Sequence, residues 1–222
     1  LRLSVYSPIT IDAYDSSNLH TGLIASPVPD SDLTFFEAKI PNSYYEEFGE
    51  GKTIGLDADD TYRIVLNGTG YGTFTFEKEE GVGDGVSTTT TFTDLPVTPL
   101  TVAEVEITPD SATTIIKLDP DGDGDFDYTL SPSDEFDPVL FLESLKLFVY
   151  SLDLPPKMEK AIIKKIDKVI KDIERGKIKN VEKKIKQVIR ALSHKKGHFK
   201  KIPPEDKNAI ILLLNQLLDN LK

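Results

Sequence analysis

The sequence predicts a chain of β structure followed by α structure. An antiparallel β-sandwich is expected over 1–137 and a small antiparallel bundle of three to four helices over 138–222. Three observations carry this. Residues 1–137 are rich in Thr, Ser, Tyr, Phe, Val and Gly and alternate apolar with polar in short runs. Residues 138–222 repeat apolar positions every three or four residues, with lysines between them. The charge splits at the same place. There are 27 acids and 6 bases in 1–137, giving −21, and 10 acids and 20 bases in 138–222, giving +10, for a total of −11 over 222 residues. Two units with different surfaces account for such a split.

The strands are taken in order. "LRLSVYS" alternates and is punctuated by Pro8; "ITIDAYD" alternates again, with Ile9, Ile11 and Ala13 on one face. "TYRIVLNGT" and "GTFTFEKEE" read as two strands of one hairpin, joined through the glycines at 70 and 72. "STTTTFTDLP", "LTVAEVEIT", "TTIIKLD" and "DYTLSPS" complete eight or nine strands. "PNSYYEEFGEG" reads as a turn of helix or a loop, "GLIASPVPDSDLTF" as irregular, and His20 in "NLHTG" as a turn residue.

The helices begin at Asp137, a capping residue placed before Pro138 at the first helical position. The first runs to about 152, where "LPP" breaks the chain. The second spans about 156–175 on a stripe of Met158, Ile162, Ile166, Val169 and Ile173, and Gly176 ends it. The third spans about 180–193 on Val181, Ile185, Val188 and Leu192. "IPPED" opens the fourth, whose "AIILLLNQLL" makes it the expected most buried helix.

Composition narrows the function. The absence of cysteine excludes disulfides, thiolate zinc sites and cysteine nucleophiles. No run of about 18 apolar residues is present to span a membrane. The amino terminus has no signal-peptide pattern, and a first residue of Leu is expected of a processed protein or an excised piece. Enrichment of the second half in Leu, Ile and Lys, without Cys or Trp, is compatible with a thermophilic source. No P-loop, Rossmann fingerprint or G-x-S-x-G elbow occurs, and the chain is expected not to be an enzyme.

The strongest chemical signal is "DPDGDGDFDY" at 119–128. With Asp119 in the first position of a calcium loop, Asp121 and Asp123 fall third and fifth and Gly124 falls sixth. Asp125 is seventh, Phe126 is an inward anchor and Asp127 is ninth. The twelfth position is Leu130, not glutamate, and the flanks read as strands. An EF-hand is therefore rejected, and a structural Ca2+ site on a hairpin turn is expected at Asp119, Asp121, Asp123, Asp125 and Asp127. His194 and His198 are four apart but straddle Gly197 beside lysines, which reads as a basic surface loop. The lysine runs of the second half are a candidate polyanion face, though the acidic first half disfavours nucleic acid. "NGT" at 67–69 is a glycosylation sequon. Tyr44, Tyr45 and Tyr71, with Phe48, are the candidate residues for stacking on a carbohydrate.

Two resemblances follow from these residues. "SPITIDAYDSSNLHTG", "IPNSYYEEFGEGKTIGLDADDTYRIVLNGTGYGTFTF" and "LDPDGDGDFDYTL" together resemble the accessory β-sandwich modules of secreted bacterial and archaeal proteins, lipase-like or adhesive. "AIIKKIDKVIKDIERGKIKNVEKKIKQVIRAL" followed by "IPPEDKNAIILLLNQLL" is similar to FIVAR-type helical modules, without their usual aromatic in the middle helix. The resemblance implies an extracellular or cell-surface accessory region that works by docking or assembly. Its implied partner is protein, either self-association or an adjacent catalytic or adhesive domain; the alternative is a carbohydrate- or cell-surface-binding module of a secreted hydrolase.

Overall fold

The computed structural model describes residues 1–6, 8–26, 34–82, 86–109, 113–133, 135–194 and 199–221. The chain divides into two compact units, Leu1–Glu135 and Phe136–Lys222. The first is all β and the second all α among the described residues.

Twelve strands build the first unit: β1 (Arg2–Tyr6), β2 (Ile9–Asp15), β3 (His20–Ile24), β4 (Phe35–Ala38), β5 (Tyr44–Phe48), β6 (Gly51–Gly55), β7 (Tyr62–Gly68), β8 (Gly72–Val82), β9 (Val86–Val97), β10 (Val102–Ile107), β11 (Ile116–Asp119) and β12 (Tyr128–Leu130). They form two antiparallel sheets, one ordered β5-β6-β1-β8-β9 and the other β12-β11-β10-β7-β2-β3-β4. Alternation puts one face of each strand in the core. Leu3, Val5, Ile54, Phe74, Phe76 and Phe92 come from the first sheet, and Ile9, Ile11, Ile64, Leu66, Val105, Ile116 and Leu118 from the second; all are buried. Each such side chain contributes about 1.5–3 kcal/mol of burial.

The β-then-α class holds, but several local readings change. The structure has twelve strands rather than eight or nine. β7 and β8 do not form a hairpin: β7 pairs with β2 and β10, whereas β8 pairs with β1 and β9. The glycine-rich link is a corner between sheets. It is anchored where Gly68 N–H donates to Thr101 O at 2.8 Å and Thr69 N–H to Pro8 O at 3.0 Å. A Cβ on Gly68 would sit 1.9 Å from Thr98 O, so the close backbone approach requires glycine there. "PNSYYEEFGEG" supplies the β5–β6 hairpin instead of a helical turn or loop. His20 opens β3 instead of lying in a turn, and β3 and β4 occupy both ends of the segment read as irregular, whose residues 27–33 lie outside the described ones.

The helical unit contains α1 (Pro138–Ser151), α2 (Pro156–Ile173), α3 (Ile178–Ser193) and α4 (Pro204–Asn220). Asp137 caps α1, its Oδ1 accepting from Val139 N–H at 2.8 Å and Leu140 N–H at 3.1 Å. Gly176, at φ 66°, turns the chain out of α2. Asp172, buried on α2, holds Lys184 of α3 at 2.6 Å. The most buried helix is α1 rather than α4: it buries six of 14 residues against six of 17. "PVLFLESLKLFVYS" is apolar nearly all round, while α4 leaves Leu212 exposed. No described helix is long and apolar enough to cross a membrane.

Candidate metal centre

The acidic run closes the β11–β12 hairpin, with Leu118 opposite Tyr128. Asp119 ends β11 at 2 % exposure. Its Oδ1 accepts the Gly122 N–H at 2.7 Å and its Oδ2 accepts the Gly124 N–H at 2.9 Å. One carboxylate therefore shapes the whole turn. Gly122 and Gly124 have φ of 73° and 95°, and a Cβ on Gly122 would meet Leu100 O at 2.5 Å. The base of the turn is fixed from outside: the buried Thr98 and Thr101 hydroxyls donate to Pro120 O at 3.3 and 3.1 Å.

Three carboxylates converge on this frame. Asp119, Asp121 and Asp127 each offer an oxygen within 4.8 Å of the others. Calcium–oxygen bonds run about 2.3–2.6 Å, so two oxygens on one ion lie no more than about 5 Å apart. The trio meets that limit. Asp121 Oδ1 is buried with no hydrogen-bond partner. Burial pushes the Asp121 carboxyl above its ordinary range, and the charges of Asp123, Asp127 and Asp119 add to this. Asp127 is raised in the same way, by burial first and then by Asp123, Asp119 and Asp125. The donor set is all hard oxygen, which fits Ca2+ and is a poor match for zinc.

The other two aspartates lie outside the trio. Asp123 Oδ1 accepts the Asp125 N–H at 2.9 Å, and Asp125 is exposed. Phe126, expected as an inward anchor, is 39 % exposed; the turn packs on threonines and backbone instead. The flanks are strands, as the sequence predicts.

The aromatic candidates are spread out. Tyr44 and Tyr45 are neighbours on β5 and so face opposite ways. Tyr44 is 43 % exposed, with its ring against Gly55, where a Cβ would be 1.9 Å from Cε1. Tyr45 is 7 % exposed and stacks on Phe36 at 5.6 Å. Burial raises its hydroxyl pKa, with Glu47 and Asp12 adding. Tyr71 is half-buried in the β7–β8 corner, and Phe48 is 94 % exposed at the end of β5. His194 follows the end of α3, and His198 lies outside the described residues. Asn67 of the sequon is exposed on β7.

One constellation has no counterpart in the sequence reading. His20 on β3 lies between Asp12 on β2 and Glu37 on β4: Nε2 is 3.0 Å from Asp12 Oδ1 and Nδ1 is 2.9 Å from Glu37 Oε1. Asp12 Oδ1 also accepts the Leu23 N–H at 3.0 Å, and Lys39 pairs with Glu37 at 2.6 Å. Hydrogen bonds from Lys39 and then His20 hold the Glu37 carboxyl below its ordinary range. Both ring nitrogens are committed, so the cluster ties three strands together. Gly22 in "HTG" was the available signal. A Cβ there would sit 2.3 Å from Asp12 Oδ1, so glycine makes room for the clasp.

No family model, curated protein or solved structure matches this chain. What the fold and site define is a class: an acidic two-sheet β-unit with a pre-shaped aspartate turn, followed by a basic helical unit.

Proposed function

We propose that the chain is a non-catalytic extracellular accessory region whose β-unit is stabilised by Ca2+ held at Asp119, Asp121 and Asp127, with Asp123 and Asp125 adding negative charge at the rim. Its role is docking or assembly with a protein partner. The observation that carries the ion is the convergence of three carboxylates around a buried, unpartnered Asp121 Oδ1. Like charges at this spacing repel, and a divalent cation removes the penalty. The turn is shaped by Asp119 and the two threonines before any ion arrives, which lowers the ordering cost of binding. The opposite charges of the two halves, −21 and +10, supply surfaces for charged partners. The commitment of both His20 nitrogens to carboxylates supports a structural role for that imidazole.

Titration calorimetry of the metal-stripped chain with CaCl2 tests the ion. One site with a Kd of about 10⁻⁴–10⁻³ M, the range of extracellular modules, is the expected result. No heat and no change in thermal stability would sink it. For docking, sedimentation should reveal association that weakens as salt rises past about 0.1 M, where screening sets in within about 10 Å.

A further inference from the structure

The outward face of the seven-stranded sheet carries a cleft of about 660 Å³ on β2, β7, β10 and β11, away from the aspartate turn. Register builds its floor. Tyr14 lies opposite Arg63 and Arg63 opposite Glu106, while Glu104 lies opposite Lys117 in the next row. The Arg63 guanidinium sits 4.6 Å from the Tyr14 ring centroid and its Nη1 is 3.2 Å from Glu104 Oε1. Stacking and ion pairing therefore hold it in place. A guanidinium has five N–H donors, so most remain for a ligand. Ile115, Thr61 and Thr108 also line it.

We propose that this cleft binds a neutral oligosaccharide. Its volume lies within the roughly 300–1,000 Å³ of small-molecule sites. Arg63 and Lys117 donate, while Glu104, Glu106 and Asp15 accept, so donors and acceptors alternate across the floor with a net charge near −1. A polyol matches such a floor because every hydroxyl both donates and accepts. An anion would meet the excess carboxylates and the acidic unit around them, and an apolar ligand would leave the charged floor desolvated without partners. The site differs from the Tyr44, Tyr45 and Tyr71 set: Tyr45 is buried, and none of the three lines this cleft. It does not depend on the cation at the turn.

The test is a two-dimensional ¹⁵N–¹H titration of the full chain with cellohexaose, xylohexaose, mannohexaose and hexa-N-acetylchitohexaose, all uncharged. Each is used at about 1 mM, with Ca2+ and again with EDTA, so that a Kd of that order is visible. At least one should shift the amides of Tyr14, Arg63, Glu104, Glu106, Ile115 and Lys117, with or without Ca2+. Arg63→Met should weaken that glycan at least about tenfold, the loss of roughly one charged hydrogen bond. Lys117→Met should weaken it less, and Tyr44→Ala should leave it unchanged. If Arg63→Met does not fold, Glu106→Gln takes its place. No shift with any of the four, or shifts confined to the Tyr44 face, would each overturn the proposal.

Discussion

Asp121→Asn separates a bound cation from a merely solvated acidic turn. The substitution keeps the side-chain shape and removes one charge from the trio of Asp119, Asp121 and Asp127, whose oxygens lie within 4.8 Å. Two like charges about 4 Å apart repel by about 1 kcal/mol in water and about 4 kcal/mol in a protein-like surround. Asp121 is half-buried and Asp127 exposed, so the low end applies and each pair costs about 1 kcal/mol. Asp121 takes part in two of the three pairs, so without metal Asp121→Asn should be more stable than the parent by about 2 kcal/mol, or about 6–10 °C in Tm for a unit of this size. With metal the gap closes. At about 10 mM Ca2+ and a Kd of 10⁻⁴–10⁻³ M, the parent gains about 1.4–2.7 kcal/mol by mass action. The variant, lacking the unpartnered Asp121 carboxylate oxygen, should gain little. The assay is a pair of calorimetric melts in EDTA and in CaCl2, with MgCl2 at equal ionic strength as control. Equal melting of the parent in both media, or a variant that responds to Ca2+ as the parent does, would refute the reasoning.

The titration curve of stability gives a second check. Asp121 and Asp127 have raised pKa values in the fold, so the folded chain takes up protons first. Metal-free stability should therefore rise as pH falls from neutral through those raised values, levelling off below the ordinary Asp value of about 3.9. Glu37 works in the opposite sense. Its pKa is lowered, so its contribution is full above the ordinary Glu value of about 4.3 and is lost as pH falls through the lowered one. Urea melts across pH 3–7 with EDTA should show a rise and then a fall, whereas Ca2+ should remove the rise. Gly22→Ala should destabilise by more than about 2 kcal/mol, because its Cβ would sit 2.3 Å from Asp12 Oδ1 at a φ of 151°. Retention of wild-type stability, with the His20 ring signals unmoved, would count against the clasp. Asp137→Ala should cost about 1 kcal/mol by leaving Val139 N–H and Leu140 N–H uncapped, read by urea denaturation of the helical unit.

The class of the fold was legible because both periods are local. Alternation marks Leu3 and Val5, and the 3.6-residue stripe marks Met158, Ile162, Ile166 and Val169, with no need of a partner. Pairing is another matter. "TYRIVLNGT" and "GTFTFEKEE" each announce a strand, but alternation says only that one face is buried. Ile64 and Phe74 are both in the core, so the pattern is the same whether the strands lie in one sheet or in two facing sheets. What distinguishes them is the anchoring of Gly68 to Thr101 and of Thr69 to Pro8, contacts that no local signal encodes. "YYEEF" was passed over for a related reason. As an edge strand it carries consecutive acids and an exposed Phe48, a pattern closer to a loop than to a half-buried strand.

The same division separates the candidate sites. A cation turn draws its ligands from one short segment, and the glycines that shape it sit between them, so the aspartate run was conspicuous at once. Even so, spacing alone could not choose among five aspartates. Asp119 is spent first on shaping the backbone, and only Asp121 and Asp127 then close on it, while Asp123 turns to the Asp125 N–H. The Asp12–His20–Glu37 clasp and the Tyr14–Arg63–Glu104 floor are assembled by register across neighbouring strands. Within each group the members lie between 8 and 90 positions apart in the chain. In a sheet, residues at every second position share a face, so the order β10-β7-β2-β3-β4 decides which polar side chains meet. Misplacing a single strand pair would scatter both constellations. That is why the glycines at 22 and 68, which record close backbone and side-chain approaches, were the informative residues: they mark where another strand's atoms must come near, even when the sequence does not say whose.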